Sequence, residues 1–141
     1  MGNYIVQADL KDKLADNQLM QLTDDSHSGQ IVTETVVQAI ADAEAEIDGY
    51  VAAQYGVPIL APIPRLLKAL AIDITVYKLY ARRQRVPDDV KDMYREAMRK
   101  LEQIARGILL LGPGIPDPLI LNAGEIFGPE RLFTRETMKG F

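Results

Sequence analysis

Residues 65–83 read RLLKALAIDITVYKLYARR and form the most apolar helical stretch of the 141-residue chain. The apolar side chains that leave this stretch with almost no polar face are Leu66, Leu67, Leu70, Ala71, Ile74, Tyr77, Leu79 and Tyr80. A helix that is apolar nearly all round is typical of the centre of a bundle. Asp73 lies inside it, and we expect a pairing or hydrogen-bonding partner because an unpaired buried carboxylate is costly.

A long amphipathic helix is predicted before this stretch, from Thr33 to about Tyr55. Its apolar stripe recurs at spacings of three and four residues and consists of Val36, Val37, Ile40, Ala43, Ile47, Tyr50 and Val51. Gly49 lies inside the predicted helix, where glycine costs about 1 kcal/mol relative to alanine. This cost suggests that another helix packs closely at that position.

The last predicted helix opens at Pro87-Asp88-Asp89, with acidic residues at the positive end of its dipole. Its apolar seam follows steps of four and three residues and consists of Val90, Tyr94, Ala97, Leu101, Ile104 and Ile108. Gly107 or Gly112 is expected to end it. Shorter helical patterns cover residues 8–15 and 17–22.

The sequence therefore predicts an all-α fold, a small bundle of about four to five helices within residues 1–112. The residues expected to form its core share this helical periodicity and are Val36, Ile40, Ile47, Val51, Leu67, Leu70, Ile74, Tyr77, Tyr94, Leu101 and Ile104.

The C-terminal residues 113–141 are predicted to be an extended arm rich in proline and glycine. From Gly112 to Phe141 nine of the thirty residues are Gly or Pro, which prevents a long regular helix. The arm nevertheless carries apolar clusters, and its expected partner contacts are Leu119, Leu121, Ile126, Phe127, Leu132 and Phe133. Short apolar anchors of this kind suit docking on a partner. The alternative is that the arm folds back over its own bundle.

Charge is segregated along the chain. Residues 1–50 carry ten acidic and two basic side chains, whereas residues 51–112 carry eleven basic and six acidic ones, within a formal net charge of −4. Such a distribution suits head-to-tail contacts between identical copies, which close into rings when the rotation permits. The expected charged contacts are Asp42, Glu46, Arg82, Arg83 and Arg85.

Composition narrows the possible functions. There is no cysteine and only one histidine, which excludes thiolate sites and most imidazole metal sites. The N-terminus lacks the pattern of a signal peptide, and no apolar run approaches membrane-spanning length. We therefore expect a soluble protein made in the cytoplasm, with no enzymatic activity, metal or cofactor.

Two groups of polar side chains are candidates for chemical sites. The loop TDDSHSG brings together Asp24, Asp25 and His27, but it lacks the ligand spacing of a calcium loop and a second histidine for zinc. A polar loop is therefore favoured over a metal-dependent enzyme. The alternating acids between Asp42 and Asp48, which include Glu44 and Glu46, are interpreted as solvated or intersubunit charge rather than paired catalytic carboxylates.

The stretch YKLYARRQR, which ends in Arg82, Arg83 and Arg85, is the only compact basic and aromatic group. A small helical DNA-binding or regulatory protein is therefore the alternative function. The acidic pI of about 5.0 favours protein–protein or intrachain pairing instead.

Residues 3–112 resemble the head–tail adaptor, or connector, family of Mu-like tailed bacteriophages and prophages. The stretches that carry the resemblance are the LMQLTD ending near Leu22, AIADAEAEIDGYVAAQYGVP, APIPRLLKALAIDITVYKLYARR and PDDVKDMYREAMRKLEQIARG. This resemblance implies a helical protein without catalytic residues that forms a ring, often a dodecamer, in the virion at the capsid–tail junction. The implied partners are the portal protein, a tail-side stopper or tail terminator protein, and the passing genome in the channel, with no membrane.

Overall fold

The computed structural model describes residues 2–111, which form a short 3₁₀ helix and four α-helices. Their bounds are Gln7–Asp12 for the 3₁₀ helix, Asp16–Thr23 for α1, Thr33–Val51 for α2, Arg65–Ala81 for α3 and Asp88–Ala105 for α4. No strand occurs between residues 2 and 111. The predicted all-α bundle is confirmed.

Helices α2, α3 and α4 pack against one another, while α1 and the 3₁₀ helix cover α2 and α3. The apolar character of α3 explains its central place, since its buried residues face several directions. These residues are Leu67, Leu70, Ala71, Ile74, Thr75, Val76 and Leu79. The buried Thr75 hydroxyl donates to the carbonyl of Ala71 at 2.7 Å, so no polar group is left unpaired there.

Nine of the eleven predicted core residues are buried, and the other two, Tyr77 and Tyr94, are half-buried. The two tyrosine rings stack with centroids 3.9 Å apart and planes 13° from parallel. The core also includes an N-terminal set that the periodicity did not predict: Tyr4, Ile5, Leu10, Leu14, Leu19 and Leu22. These six side chains of the N-terminal segment thus belong to the core.

The N-terminal helix differs from its prediction. Instead of an α-helix over residues 8–15, the chain forms a 3₁₀ helix whose third residue, Asp9, accepts a hydrogen bond from the Val6 N–H at 2.8 Å. Asp9 therefore binds the N–H group of the residue that precedes the helix, as the third helical residue of a capping box does. Leu10 and Leu14 are both buried.

Helix α2 ends earlier than predicted, whereas α4 is ended by Gly107, the first of the two glycines expected to end it. Helix α2 stops at Val51. Helix α4 stops at Ala105, where Gly107 takes a positive φ of 76° and the Ile108 N–H donates to the Gln103 carbonyl at 2.9 Å. These are the features of a Schellman ending, and glycine adopts the left-handed conformation without a steric penalty. The expectation that Ile108 continues the buried seam is wrong, because its side chain is 68% exposed.

Asp73 has the partner expected for it. The ammonium of Lys13 lies 3.7 Å from its carboxylate, and the Asp73 side chain is 21% exposed. Burial raises the pKa of this carboxyl, and the nearby positive charges of Lys13 and Lys100 partly oppose that rise.

The expectation of close helix packing at Gly49 is wrong within this chain. A Cβ atom built at Gly49 would meet nothing within 4 Å, so that side of α2 faces open space. No contact among the described residues requires glycine at this position.

Replacing Gly49 with alanine is therefore expected to raise the free energy of unfolding by about 1 kcal/mol, because alanine has the higher helix propensity and finds room. Chemical denaturation of the two proteins measures the difference. A decrease in stability would show that α2 bends or packs differently around residue 49.

Candidate subunit interface

Arg82 follows the last residue of α3 and binds the far end of α1. Its guanidinium donates to the Leu22 carbonyl at 2.7 Å and forms a two-point interaction with the carboxylate of Asp25 at 2.7 and 3.3 Å. The planar guanidinium fits such a forked arrangement. Arg82 thus joins α3 to α1 and to the loop that follows α1.

Arg83 makes a second set of contacts with the same end of α1. It donates to the carbonyls of Gln21 at 2.9 Å and Asp24 at 3.1 Å, and it lies 3.1 Å from the Asp25 carboxylate. The last carbonyls of a helix lack intrahelical partners and form the negative end of its dipole, so cations bind there favourably. Arg82 and Arg83 are therefore both paired within the chain. Their role in a subunit interface stays a prediction.

The loop after α1 is organised by Asp24. Its carboxylate accepts hydrogen bonds from the N–H groups of Ser28 at 2.8 Å and Gly29 at 2.7 Å, and from the Ser28 hydroxyl at 3.1 Å. These backbone donors lower the pKa of the Asp24 carboxyl to about 2. Positive φ angles at His27 and Gly29 complete the tight loop.

The metal-site alternative for this loop gains no support. The Asp24 oxygens bind loop N–H groups, while Asp25 binds the two arginines. Between residues 2 and 111 no three His, Cys, Asp or Glu side chains are grouped so as to hold a metal ion.

Glu44 was expected to be solvated or intersubunit charge, and that expectation is wrong. Its side chain is buried, and its carboxylate accepts hydrogen bonds from three successive backbone N–H groups: Asn3 at 2.7 Å, Tyr4 at 2.8 Å and Ile5 at 3.2 Å. Glu44 lies one turn after Ile40 on the apolar stripe of α2, and that position was the available signal for burial. The carboxylate fixes the N-terminal segment to the bundle.

The same segment is fixed again through Tyr4. Its hydroxyl donates to Asp48 and accepts a hydrogen bond from the Ile59 N–H at 3.0 Å. Burial and the hydrogen bond to Asp48 raise the pKa of Tyr4. Tyr4 therefore connects the N-terminal segment, α2 and the loop between α2 and α3.

Glu46 joins three helices rather than standing free in solvent. Its carboxylate lies 2.9 Å from the Lys78 ammonium on α3 and accepts a 2.7 Å hydrogen bond from the Tyr94 hydroxyl on α4. Burial and this hydrogen bond raise the pKa of Tyr94. Any subunit contact of Glu46 would have to share the carboxylate with these two partners.

The remaining predicted charges, Asp42 and Arg85, line two different grooves. Asp42 is exposed and lines, with Arg82 and Lys78, an open groove of about 350 Å³. Arg85 lies beyond the end of α3 beside Tyr80 and Arg83. Neither Asp42 nor Arg85 forms an ion pair with another residue of the range 2–111. We call Asp42 and Arg85 the two unpaired charges.

Part of the segregated charge is used in pairing within the chain. Four ion pairs join bases of the second half to acids of the first: Lys68–Asp9, Lys78–Glu46, Arg82–Asp25 and Arg83–Asp25. Because α2 and α3 pack side by side, acidic and basic segments meet within one molecule.

Six predicted contacts, Leu119, Leu121, Ile126, Phe127, Leu132 and Phe133, lie outside the described residues. Three residues important to the observed arrangement, Tyr4, Asp25 and Lys78, were not predicted as contacts. Tyr4 and Asp25 form hydrogen bonds with residues 40 or more positions away in sequence, and no local sequence pattern indicates such partners.

The fold and these contacts define a small all-α protein in which many charged side chains hold its own helices together. Residues 4–119 match the model of the family described as Bacteriophage Mu, Gp36, and the chain belongs to that family. Two relatives are a Mu-like prophage FluMu protein gp36 of Haemophilus influenzae and Gene product J of Escherichia phage Mu.

The FluMu protein is 29% identical over 114 residues, which cover 75% of this chain and 74% of the relative. Gene product J is 35% identical over 79 residues, which cover 56% of this chain and 54% of the relative. Within residues 2–111 no helix is both long enough and apolar enough to cross a membrane.

Proposed function

We propose that the chain is a structural virion protein, a ring-forming head–tail adaptor that links the portal at the capsid vertex to tail-side proteins. The observation that carries the proposal is membership of the Mu Gp36 family over residues 4–119, which include the whole bundle. The resemblance to head–tail adaptors adds the expected arrangement, a homo-oligomeric ring that is often a dodecamer in that family. In this role the protein positions its neighbours and performs no chemistry.

The two unpaired charges support contacts between copies. Asp42 and Arg85 are exposed and carry opposite charges that are not used in ion pairs among residues 2–111. Complementary charges at two different places on a molecule can meet when identical copies pack head to tail, and such contacts close into rings when the rotation permits. Asp42 and Arg85 are therefore proposed to face charges on the neighbouring copies.

The end of the chain supplies a second proposed contact. The described chain ends at Leu111, and thirty residues follow, including the apolar clusters Ile126-Phe127 and Leu132-Phe133. Thirty residues can span up to about 100 Å when extended, which exceeds the width of a small domain. We propose that these clusters dock on the portal or on a tail-side stopper or tail terminator protein.

The ring is proposed to surround the path of the genome. Acidic side chains turned toward that channel would repel the phosphate backbone and keep the passing DNA from adhering. The net charge of −4 agrees with this arrangement better than with tight DNA binding.

The alternative, a DNA-binding protein that uses Arg82, Arg83 and Arg85, is less favoured. Arg82 and Arg83 direct their donors to the carbonyls of α1 and to Asp25. Contacts of these two arginines with phosphates would have to replace the interactions with α1 and Asp25. Arg85 is the one arginine of the three that forms no ion pair within residues 2–111.

Reversing the charge of Arg85 tests the subunit contact without disturbing the arginines that bind α1. Arg85→Glu is expected to reduce the ring fraction at least tenfold, whereas Arg85→Lys keeps the charge and preserves assembly. Ring assembly of the unaltered protein should also weaken as salt rises, because exposed charges are screened. Native mass spectrometry measures the ring fraction, and circular dichroism checks that each variant remains helical.

Normal rings from Arg85→Glu would remove Arg85 from the interface. Failure of the unaltered protein to form any oligomer, alone or with its portal protein, would contradict the ring. An electrophoretic retardation assay with duplex DNA distinguishes the adaptor from the DNA-binding alternative. Tight DNA binding by the unaltered protein that is lost in Arg85→Glu would favour the DNA-binding alternative.

A further inference from the structure

One end of the bundle carries large apolar side chains without cover from the described residues. Val57, Leu60, Ile108 and Leu110 are 39%, 78%, 68% and 58% exposed, and we call these four residues the end surface. Scattered single exposed apolar residues are normal, but a concentration at one place marks a surface that something covers.

The four residues share one end because α2 and α4 both finish there. The Gln54 side-chain amide donates to the Ala105 carbonyl at 3.0 Å, and the Leu111 N–H donates to the Tyr55 hydroxyl at 3.4 Å. Val57 and Leu60 follow α2 in sequence, and Ile108 and Leu110 follow α4. The two connecting segments are thus held side by side.

Exposure alternates along the last described residues. Ile108 and Leu110 are exposed, Leu109 is half-buried, and Leu111 is buried in the core. Side chains that alternate in this way place one row on the bundle and the other row outward. The outward row, Ile108 and Leu110, extends the end surface to the point at which the described chain stops.

The sequence that follows suits a return to this surface. Leu111 is followed by Gly112-Pro113-Gly114, and Pro and Gly are the residues that tight turns favour. The cluster Leu119-Ile120-Leu121 begins eight residues after Leu111, a separation that spans up to about 28 Å when extended. A turn directly after Leu111 can therefore bring the cluster back to the end from which the chain left.

The extent of the family match independently supports a segment after Leu111 that belongs with the bundle. The match runs from residue 4 to residue 119, beyond the last described residue, so the family sequence pattern does not stop with the bundle. A segment joined by so short a connection also has an effective concentration near millimolar at its own domain, which favours it over the same segment of another copy.

We propose that residues 113–121 pack on the end surface of their own chain and complete its domain. This assigns Leu119 and Leu121 to the fold, and it leaves the clusters Ile126-Phe127 and Leu132-Phe133 for partner docking. The domain would then end near residue 121 rather than at residue 112. The proposal concerns the single chain and holds whether or not rings form.

The absence of cysteine from the chain allows a direct test by cross-linking. The full-length double variant Leu60→Cys with Leu119→Cys places one thiol on the end surface and one in the proposed segment. The matched control carries the same two cysteines together with Ile108→Asp and Leu110→Asp, which keep the length of the connection and remove two apolar side chains of the end surface. Both residues are exposed, so the bundle should still fold. Both variants are oxidised mildly at high dilution, and intact mass under non-reducing conditions follows the products.

The expected result is an intrachain disulfide that forms at least ten times faster in the Leu60 variant than in the control that also carries Ile108→Asp and Leu110→Asp. Equal rates in the two variants would overturn the proposal, because a connection of the same length that does not pack on the end surface brings the two thiols together equally often in both. Disulfide-linked dimers as the main product of the Leu60 variant would also overturn it, since they would show that the segment of another copy occupies the surface.

Discussion

Leu70→Ala is expected to lower the free energy of unfolding by about 2–5 kcal/mol, because it removes a buried side chain and leaves a cavity in a close-packed core. Leu70 is 2% exposed and lies on α3, between the helices that pack on both of its sides. Denaturant unfolding followed by circular dichroism measures the change, with the slope of the transition used to confirm that cooperativity is retained.

The matched control is Val37→Ala on α2, where the side chain is 37% exposed. Alanine has a higher helix propensity than valine, so the lost contacts are partly offset and the change should stay within about 0.5 kcal/mol. If the two variants unfold at the same denaturant concentration, Leu70 does not lie in the core described above.

Glu44→Ala is expected to lower the free energy of unfolding by about 2–4 kcal/mol, since hydrogen bonds to charged groups are strong and buried donors are costly to leave unpaired. The carboxylate accepts hydrogen bonds from the N–H groups of Asn3, Tyr4 and Ile5, and nothing in an alanine side chain replaces it. The N-terminal segment should also lose protection from hydrogen exchange, which locates the damage.

Asp42→Ala provides the control for that variant. Asp42 is also an acid on α2, but it is exposed, and its carboxylate accepts a hydrogen bond from the Gln38 side chain at 2.9 Å. We expect a stability change of no more than about 0.5 kcal/mol. Equal effects of the two substitutions would mean that Glu44 contributes only surface charge and that the N-terminal segment is held by other contacts.

The helices of the bundle were largely predictable because each buries a periodic apolar face. Residues such as Ile40, Leu70 and Leu101 follow three- and four-residue spacing and are buried as expected. The helix ends were harder to predict. Ile108 continues the spacing of α4, but Gly107 adopts a positive φ and ends the helix before it.

The candidate interface was predictable only in part, because a charge pattern does not specify its partners. Arg82 and Asp25 are separated by 57 positions, and only the packing of α3 against α1 brings them together. Glu46 follows the same rule, since its partners Lys78 and Tyr94 come from two other helices. Asp42 and Arg85 are exposed, and their role in an interface stays a prediction. The arm beyond residue 111 lies outside the described residues.

The pairing within the chain also changes what a charge-reversal experiment reports. Substituting Arg82 or Arg83 would release α1 as well as any neighbouring copy, so a loss of assembly would have two explanations. Arg85 avoids this ambiguity because it is exposed and makes no ion pair within the described range. The interface is therefore best tested at residues that the fold does not use.

The most direct test of the head–tail adaptor proposal is the copy number and position of the chain in purified phage particles. Quantitative mass spectrometry of particles and of isolated capsid–tail junctions should find the chain at the junction, in a fixed ratio close to one ring per portal ring. Its absence from particles, or a copy number unrelated to that of the portal protein, would contradict the proposal.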